Sequence, residues 1–335
     1  MSRRALGILL GVLAALALVI GLGSLANREP AAGTDRFLPE LAPELANLTG
    51  VQVTGPGDTV IARVTREGDR WVVQEAGGYP ADVAKLRQNL QALAEARRLE
   101  EKTSSPGLYD RLGVADPGQA GSRAIRLEFQ GPNPVPAVIV GDTGVNGADA
   151  AYLRRAGEAT SWLVSGRYSF GKLVGDWLDR ALVDLPADRV RGVTITQPDG
   201  AVLRLTKADA STPDFTVADI PKGRTLSFEG VANGVGGALS GLTLDGVAKR
   251  EVLGATPPKP VVARFEAFDG LVVEASAWRL ADGTRFTFLA SAPADAAEAK
   301  AAADAINARL GGWVYTLPSF KAELLTRRMD DLLQP

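Results

Sequence analysis

Gly50-Val-Gln-Val-Thr-Gly-Pro-Gly-Asp-Thr-Val-Ile-Ala-Arg-Val64 reads as strand, turn and strand, and it decides the fold class. Val51 and Val53 alternate with a polar neighbour, Gly55-Pro-Gly57-Asp58 supplies a turn, and Thr59–Val64 returns as a second strand. Glu67-Gly-Asp69 is a second turn and Trp71-Val-Val73 a third strand. Tyr79-Pro-Ala-Asp82 then leads into a helix reaching about Arg98. Its apolar residues Val83, Leu86, Leu90 and Leu93 fall three, four and three apart, on one helical face.

The same order returns about 142 residues later. Gly192-Val-Thr-Ile195 matches Gly50-Val-Gln-Val53, and Pro198-Asp-Gly200 replaces the first turn. Ala201–Leu205 is the second strand, and Phe215-Thr-Val217 stands where Trp71-Val-Val73 stood. Pro221 precedes a helical pattern at Phe228, Val231, Val235, Leu239 and Leu242. This is an internal duplication, with a period too long for a solenoid. Between the copies, strands are expected at Ala124–Phe129, Val135–Val140, Ala151–Arg154 and Ser161–Val164, and a helix at Tyr168–Leu182. After the second copy come strands at Val261–Phe265, Leu271–Ala277 and Arg285–Ala290, a helix at Ala294–Leu310, a short strand at Gly312–Tyr315 and a helix at Ser319–Leu333. Hairpin runs with interspersed helices give an α+β class with antiparallel sheets in two related halves. The expected division is an anchor at 1–26, a linker at 27–45, and α+β domains at 46–185 and 186–335.

The anchor is the unbroken apolar run Ala5–Ala26, whose 22 residues make about 33 Å of helix, enough to cross a hydrocarbon core. Arg3 and Arg4 before it, with Glu29 after it, orient the N-terminus to the cytoplasm and the bulk of the chain to the periplasm or exterior. A cleaved secretory signal is the other reading, because Ser24-Leu25-Ala26 has a small-x-small pattern; the run is longer than a usual signal core. Gly7 and Gly11 form a Gly-x-x-x-Gly pair through which two such helices can associate as a homodimer. Pro30, Pro39 and Pro43 mark residues 27–45 as a spacer.

Cysteine and histidine are both absent. Disulfides, Cys/His zinc sites, haem ligation through these residues and His-based triads are therefore excluded. Without Arg3 and Arg4 the chain carries 35 basic and 39 acidic residues, a net charge of −4 with no basic stripe, so nucleic acid is not an expected partner. Trp71, Trp162, Trp177, Trp278 and Trp313 read as core anchors, with sugar stacking as the alternative. Gly234-Val-Gly236-Gly237 lacks the remaining residues of a phosphate loop and reads as close helix packing. Asp142, Asp149, Asp176 and Asp179 are turn and helix-start residues, or a carboxylate pair for glycoside hydrolysis. Arg123, Arg126, Arg154, Arg155 and Arg167 read as a solvated face, or as a site for acidic glycans or carboxylates. No residue is assigned a catalytic, cofactor or metal role.

An ordered set of short motifs runs through the chain: Arg70-Trp71, Tyr79-Pro-Ala-Asp82, Leu112-Gly113-Val114, Val140-Gly141-Asp142, Tyr152-Leu-Arg154 and Trp177-Leu-Asp-Arg180. In this the chain resembles the bacterial envelope family called domain of unknown function 4340, over most of residues 45–290. Members of that family are often encoded beside ABC-transporter components of the gliding-motility type. The resemblance implies a membrane-anchored accessory subunit without known catalytic residues. A non-catalytic envelope protein that holds membrane partners is thus the expected function. An envelope glycan- or peptide-binding module is the alternative, and a carboxylate-dependent hydrolase the third reading.

Overall fold

The computed structural model describes residues 35–335. The expected span at Ala5–Ala26, with Gly7 and Gly11, lies outside the described residues. Among those residues no helix is long and apolar enough to cross a membrane.

Two antiparallel sheets carry the fold. The first contains β1 (Gly50–Gly55), β2 (Thr59–Glu67), β3 (Arg70–Val73), β4 (Tyr79–Pro80), β5 (Arg98–Thr103), β6 (Ile125–Gln130), β7 (Val138–Thr143), β8 (Ala150–Arg155) and β9 (Ser161–Ser165). Its order is β4-β3-β2-β1-β6-β7-β8-β9-β5. The second contains β10 (Val190–Thr196), β11 (Val202–Thr206), β12 (Thr216–Val217), β13 (Gly246–Lys249), β14 (Val261–Ala267), β15 (Val272–Leu280), β16 (Gly283–Ser291) and β17 (Trp313–Thr316). Its order is β12-β11-β10-β14-β15-β16-β17-β13. Equating β1–β3 with β10–β12, β5 with β13 and β6–β9 with β14–β17 turns one order into the other, with β4 as the only addition. The duplication seen in the turns and strands therefore extends through the whole strand order.

The repeated unit starts earlier than the sequence comparison placed it. In the first copy Arg36 bridges Arg97, Phe37 N–H donates to the Ala96 carbonyl at 2.8 Å, and Arg98 N–H to the Asp35 carbonyl at 3.1 Å. In the second copy Ala181 bridges Thr243, Leu182 N–H donates to the Leu242 carbonyl and Leu244 N–H to the Arg180 carbonyl, both at 2.9 Å. Each bridge stands just ahead of the edge strand β5 or β13. The expected 27–45 spacer is thus folded from Asp35 onward. Phe37, Leu38 and Leu41 are fully buried, and Leu41–Glu44 forms the short helix α1. Three large apolar side chains within five residues are worth more in a core than as a solvated linker.

The remaining helices are α2 (Val83–Glu95), α3 (Tyr109–Leu112), α4 (Asn233–Gly236), α5 (Ala297–Leu310) and α6 (Ser319–Leu325). The expected face of α2 is real: Leu86, Leu90 and Leu93 are buried, and Asp82 Oδ1 accepts Lys85 N–H at 2.9 Å as an N-cap. On α5, Asn307 uses its side-chain amide like a strand residue, donating to the Ala290 carbonyl and accepting Ala290 N–H, both at 2.8 Å. Burial alternates strictly along β14, with Val261, Ala263, Phe265 and Ala267 inside.

Three expected helices are corrected. Tyr168–Leu182 contains only a 3₁₀ turn at Val174–Trp177. Phe228–Leu242 contains only the four-residue α4. Gly230 and Gly241 take positive φ there, and Gly236 packs where the Phe215 ring fills the space of a Cβ. The apolar spacing is present, but glycine costs too much backbone entropy to sustain the helix. Ser319–Leu333 stops as a helix at Leu325, because Gln197 takes the Thr326 and Arg327 carbonyls at 3.1 and 3.2 Å and Leu333 bridges Leu226.

The described chain forms two compact units: residues up to Leu48, Thr54–Thr59 and Gln88–Ser169 in one, and Thr49–Val53, Val60–Arg87 and Phe170–Pro335 in the other. Gly236→Val is expected to destabilise the chain by about 1–3 kcal/mol through overpacking against Phe215. Gly107→Ala, where nothing lies within 4 Å of the added Cβ, is expected to stay within about 0.5 kcal/mol. Denaturant melts of the two variants test the pair.

Candidate functional site

Three of the short motifs meet inside the first unit. The chain leaves α3 through Gly113, at φ +67°, and crosses β7 so closely that the Leu112 carbonyl occupies the space of a Cβ on Gly141. That contact explains the glycine of Val140-Gly141-Asp142. Asp142 then takes the Arg123 fork, with Nε at 3.0 Å and Nη2 at 2.7 Å, while Arg123 Nη1 donates to the Asp110 carbonyl at 2.6 Å. Donating to the Asp142 carboxylate holds the pKa of the Arg123 guanidinium above its ordinary value. Below this pair lies Arg154, only 3% exposed. Its Nε donates to the Val114 carbonyl at 3.1 Å, Nη1 to the Glu158 carbonyl at 3.0 Å and Nη2 to Asp116 Oδ2 at 2.8 Å. The guanidinium lies 4.5 Å from the centre of the Tyr109 ring, whose hydroxyl donates to the Ala159 carbonyl. Tyr109, Val114, Ala115, Ala124 and Ile139 form the apolar floor.

Two further motifs meet inside the second unit. Asp82 N–H donates to the Trp177 carbonyl at 2.9 Å, Asp179 N–H to the Pro80 carbonyl at 3.0 Å, and Ala81 bridges Leu178. Trp177 is buried and stacks on Phe170 at 6.3 Å. Arg180 Nε donates to the Leu244 carbonyl at 2.9 Å and Nη2 to Asp245 Oδ1 at 3.1 Å. Tyr79 stands edge-on to Trp313 at 5.0 Å and to Tyr315 at 6.2 Å. Burial pushes the Tyr79 hydroxyl up to about 12 and raises Tyr315 as well. Arg309 donates to the Ala181 and Leu182 carbonyls.

The remaining candidates have local roles. Asp149 pairs with Arg167 at 3.4 Å, Asp176 Oδ2 accepts Lys172 and Leu173 N–H at 3.0 Å each, and Asp179 Oδ1 accepts Ala181 N–H at 3.2 Å. Arg126 lies 3.6 Å from Asp58, and Arg155 pairs with Glu40 at 2.6 Å. The five arginines thus do not form one solvated face: Arg123 and Arg167 are ion-paired toward solvent, Arg126 and Arg155 are ion-paired but mostly covered, and Arg154 is buried. Burying it turns a cation into the centre of a hydrogen-bonded core. Trp177 and Trp278 are buried, and Trp71, Trp162 and Trp313 half-buried. The end of the Gly234–Gly237 segment and its exit face a cation: Lys321 Nζ donates to the Gly237, Ala238 and Ser240 carbonyls at 3.4, 2.9 and 2.8 Å, and burial lowers its pKa. Among the described residues no cluster of acids has the grouping needed to hold a metal ion.

Sequence reading missed Asp116, Tyr109 and Glu40, because isolated residues in irregular chain carry no periodic signal. It also missed a cleft of about 400 Å³ in the second unit, lined by Arg191, Arg264, Glu266, Phe268 and Pro293. Glu266 accepts from Arg191 at 2.9 Å and Arg264 at 3.1 Å, which holds its carboxyl below the usual range; Arg264 also pairs with Glu274 at 2.9 Å. The cleft wall is therefore a chain of neutralised charges around Phe268, which is 37% exposed.

Arg154→Met is expected to destabilise the chain by about 3 kcal/mol, since two carbonyls lose their donor. Asp116→Asn leaves both carbonyl bonds in place and is expected to cost about 1 kcal/mol. Urea melts of the two variants measure the difference. The raised phenols set an alkaline limit as well. Their neutral form is favoured in the folded chain, so this stability is full below pH 10 and is lost as pH rises toward about 12. Tyr79→Phe should flatten the fall in melting temperature across that window.

No curated protein and no solved structure matches the chain. The family described as domain of unknown function, DUF4340, matches residues 71–260. That match begins in β3, ends just before β14 and covers every motif from Trp71 to Arg180. The chain belongs to the DUF4340 family.

Proposed function

We propose that this protein is a membrane-anchored, extracytoplasmic accessory subunit of an ABC-transporter-like envelope complex, and that it holds partners rather than transforming a substrate. The observation that carries the reading is the uncharged run Ala5–Ala26 behind Arg3 and Arg4, joined to a folded region of more than 300 residues. Tethering raises the effective concentration of neighbouring membrane proteins toward the millimolar range, so a modest interface suffices. The local roles of the motif residues support the same reading. Arg154, Arg123, Asp142 and Asp82 hold loops, a helix end and carbonyls, and so act as scaffold. Exposed apolar side chains on the second unit, among them Leu173, Phe228, Leu289 and Phe320, are 58–70% accessible and offer contact points.

The cleft around Phe268 favours one alternative, an envelope module that binds a peptide or glycan. Crosslinking in intact cells separates the two. The full-length chain should recover integral-membrane or ATPase subunits, and a version exported without residues 1–26 should recover fewer. Recovery of the protein only as a free monomer, with and without the run, would sink the proposal.

A further inference from the structure

The bridge between Arg36 and Arg97 is electrostatically unusual. Arg36 and Arg97 form an antiparallel bridge whose flanking hydrogen bonds, Phe37 to Ala96 and Arg98 to Asp35, make it a non-hydrogen-bonded pair. Side chains of such a pair leave the sheet on the same face, with Cβ atoms about 5 Å apart. Two cations directly opposite each other repel, and this arrangement is normally avoided. Both arginines are exposed, and neither has an ion-pair partner among the described residues. Of the neighbouring charges, Arg98 Nη1 holds Asp35 Oδ1 at 3.0 Å with its guanidinium 4.9 Å from the Trp162 ring centre, Glu100 holds Lys102 at 2.6 Å, and Glu95 accepts the Gln91 amide at 3.0 Å, while Glu101 is exposed with no ion pair among the described residues. Leu99, two residues after Arg97 and at the register shift between Arg98 and Glu100, is 54% exposed.

The second copy of the fold provides an internal comparison. Its equivalent bridge joins Ala181 to Thr243, with no charge on either side. The doubled cation thus belongs only to the copy beside the apolar run. Eight residues, Asn27–Thr34, separate that run from Asp35, and eight residues span at most about 28 Å when extended. Any bilayer holding Ala5–Ala26 therefore lies within this reach of the arginine pair.

We propose that Arg36 and Arg97, with Leu99 beside them, form a contact surface for the phosphate headgroups of the bilayer that carries the chain. The inference rests on the anchor reading of Ala5–Ala26. Headgroup phosphates bridge and neutralise the two guanidinium groups, and Leu99 meets the interface below them. The contact orients the first unit on the membrane and fixes which end of β5 and β9 faces it.

The chain has no cysteine, so a single introduced thiol reports one position. The full-length chain is placed in nanodiscs of phosphatidylethanolamine and phosphatidylglycerol carrying a headgroup-attached quencher. An environment-sensitive fluorophore is attached at Leu99→Cys or, as reference, at Ala159→Cys at the other end of β9. Quenching at position 99 should clearly exceed that at 159. Arg36→Glu with Arg97→Glu should remove the excess, and the milder pair Arg36→Gln with Arg97→Gln should lower the docked-to-undocked ratio about fivefold per arginine. Circular dichroism of each variant checks that the sheets are kept. Equal quenching at the two positions, with the protein still eluting with the nanodiscs, would overturn the docking surface and leave the anchor standing. An excess unchanged by both variant pairs would also overturn it. Shielding of position 99 in cell membranes but not in nanodiscs would assign the surface to a protein partner instead. Failure to elute with nanodiscs at all would remove the anchor reading, and this inference with it.

Discussion

Each sheet closes on a strand that the chain makes long before its neighbour exists. Thr103 of β5 meets Ser161 of β9 58 residues later, and Lys249 of β13 meets Trp313 of β17. The pairing is antiparallel and non-local, so loop-closure entropy opposes it until the β6–β9 or β14–β17 meander is in place. The bridges at Arg36 and Ala181 bear on the same problem. Each joins a preceding segment to the residues leading into the edge strand, supplying hydrogen bonds there before the edge begins. The order of both sheets depends on this closure.

The family motifs make sense in the same terms. Leu112-Gly113-Val114, Val140-Gly141-Asp142 and Tyr152-Leu-Arg154 are distant in sequence but make a single latch over β7 and β8. A planar guanidinium with donors in several directions is needed there, because its acceptors are two carbonyls and a carboxylate around one buried centre. Tyr79-Pro-Ala-Asp82 and Trp177-Leu-Asp-Arg180 likewise secure one another through backbone hydrogen bonds. These are residues a fold requires whatever its partners are. Function is then free to reside in surfaces that differ between the two copies, such as the arginine pair of the first and the cleft of the second.

Periodicity told much of this in advance. The alternation in Val51–Val64, the turn glycines and the leucine spacing of α2 are local properties, and the structure keeps them. The likeness of the two copies was legible for the same reason, since equal turns and strands leave equal patterns. The spacing at Phe228–Leu242 misled, because apolar periodicity does not register the entropy lost at Gly230, Gly234, Gly236, Gly237 and Gly241. Tyr168–Leu182 misled because Trp177, Leu178 and Leu182 are buried by a chain that keeps one 3₁₀ turn and otherwise shares backbone hydrogen bonds with Pro80, Asp82 and Leu242.

By itself, then, the sequence determined the α+β class, the antiparallel hairpins, the duplication and the exclusion of Cys- and His-based chemistry. Each follows from residue types or from contacts within a few residues. Only the tertiary structure decided that polar Arg98–Thr103 and short Gly246–Lys249 are edge strands, that the chain from Asp35 is folded with Phe37 and Leu38 in the core rather than a spacer, and that Arg154 is buried. Those outcomes depend on partners tens of residues away, and a side chain's burial is settled by what packs over it, not by its neighbours along the chain.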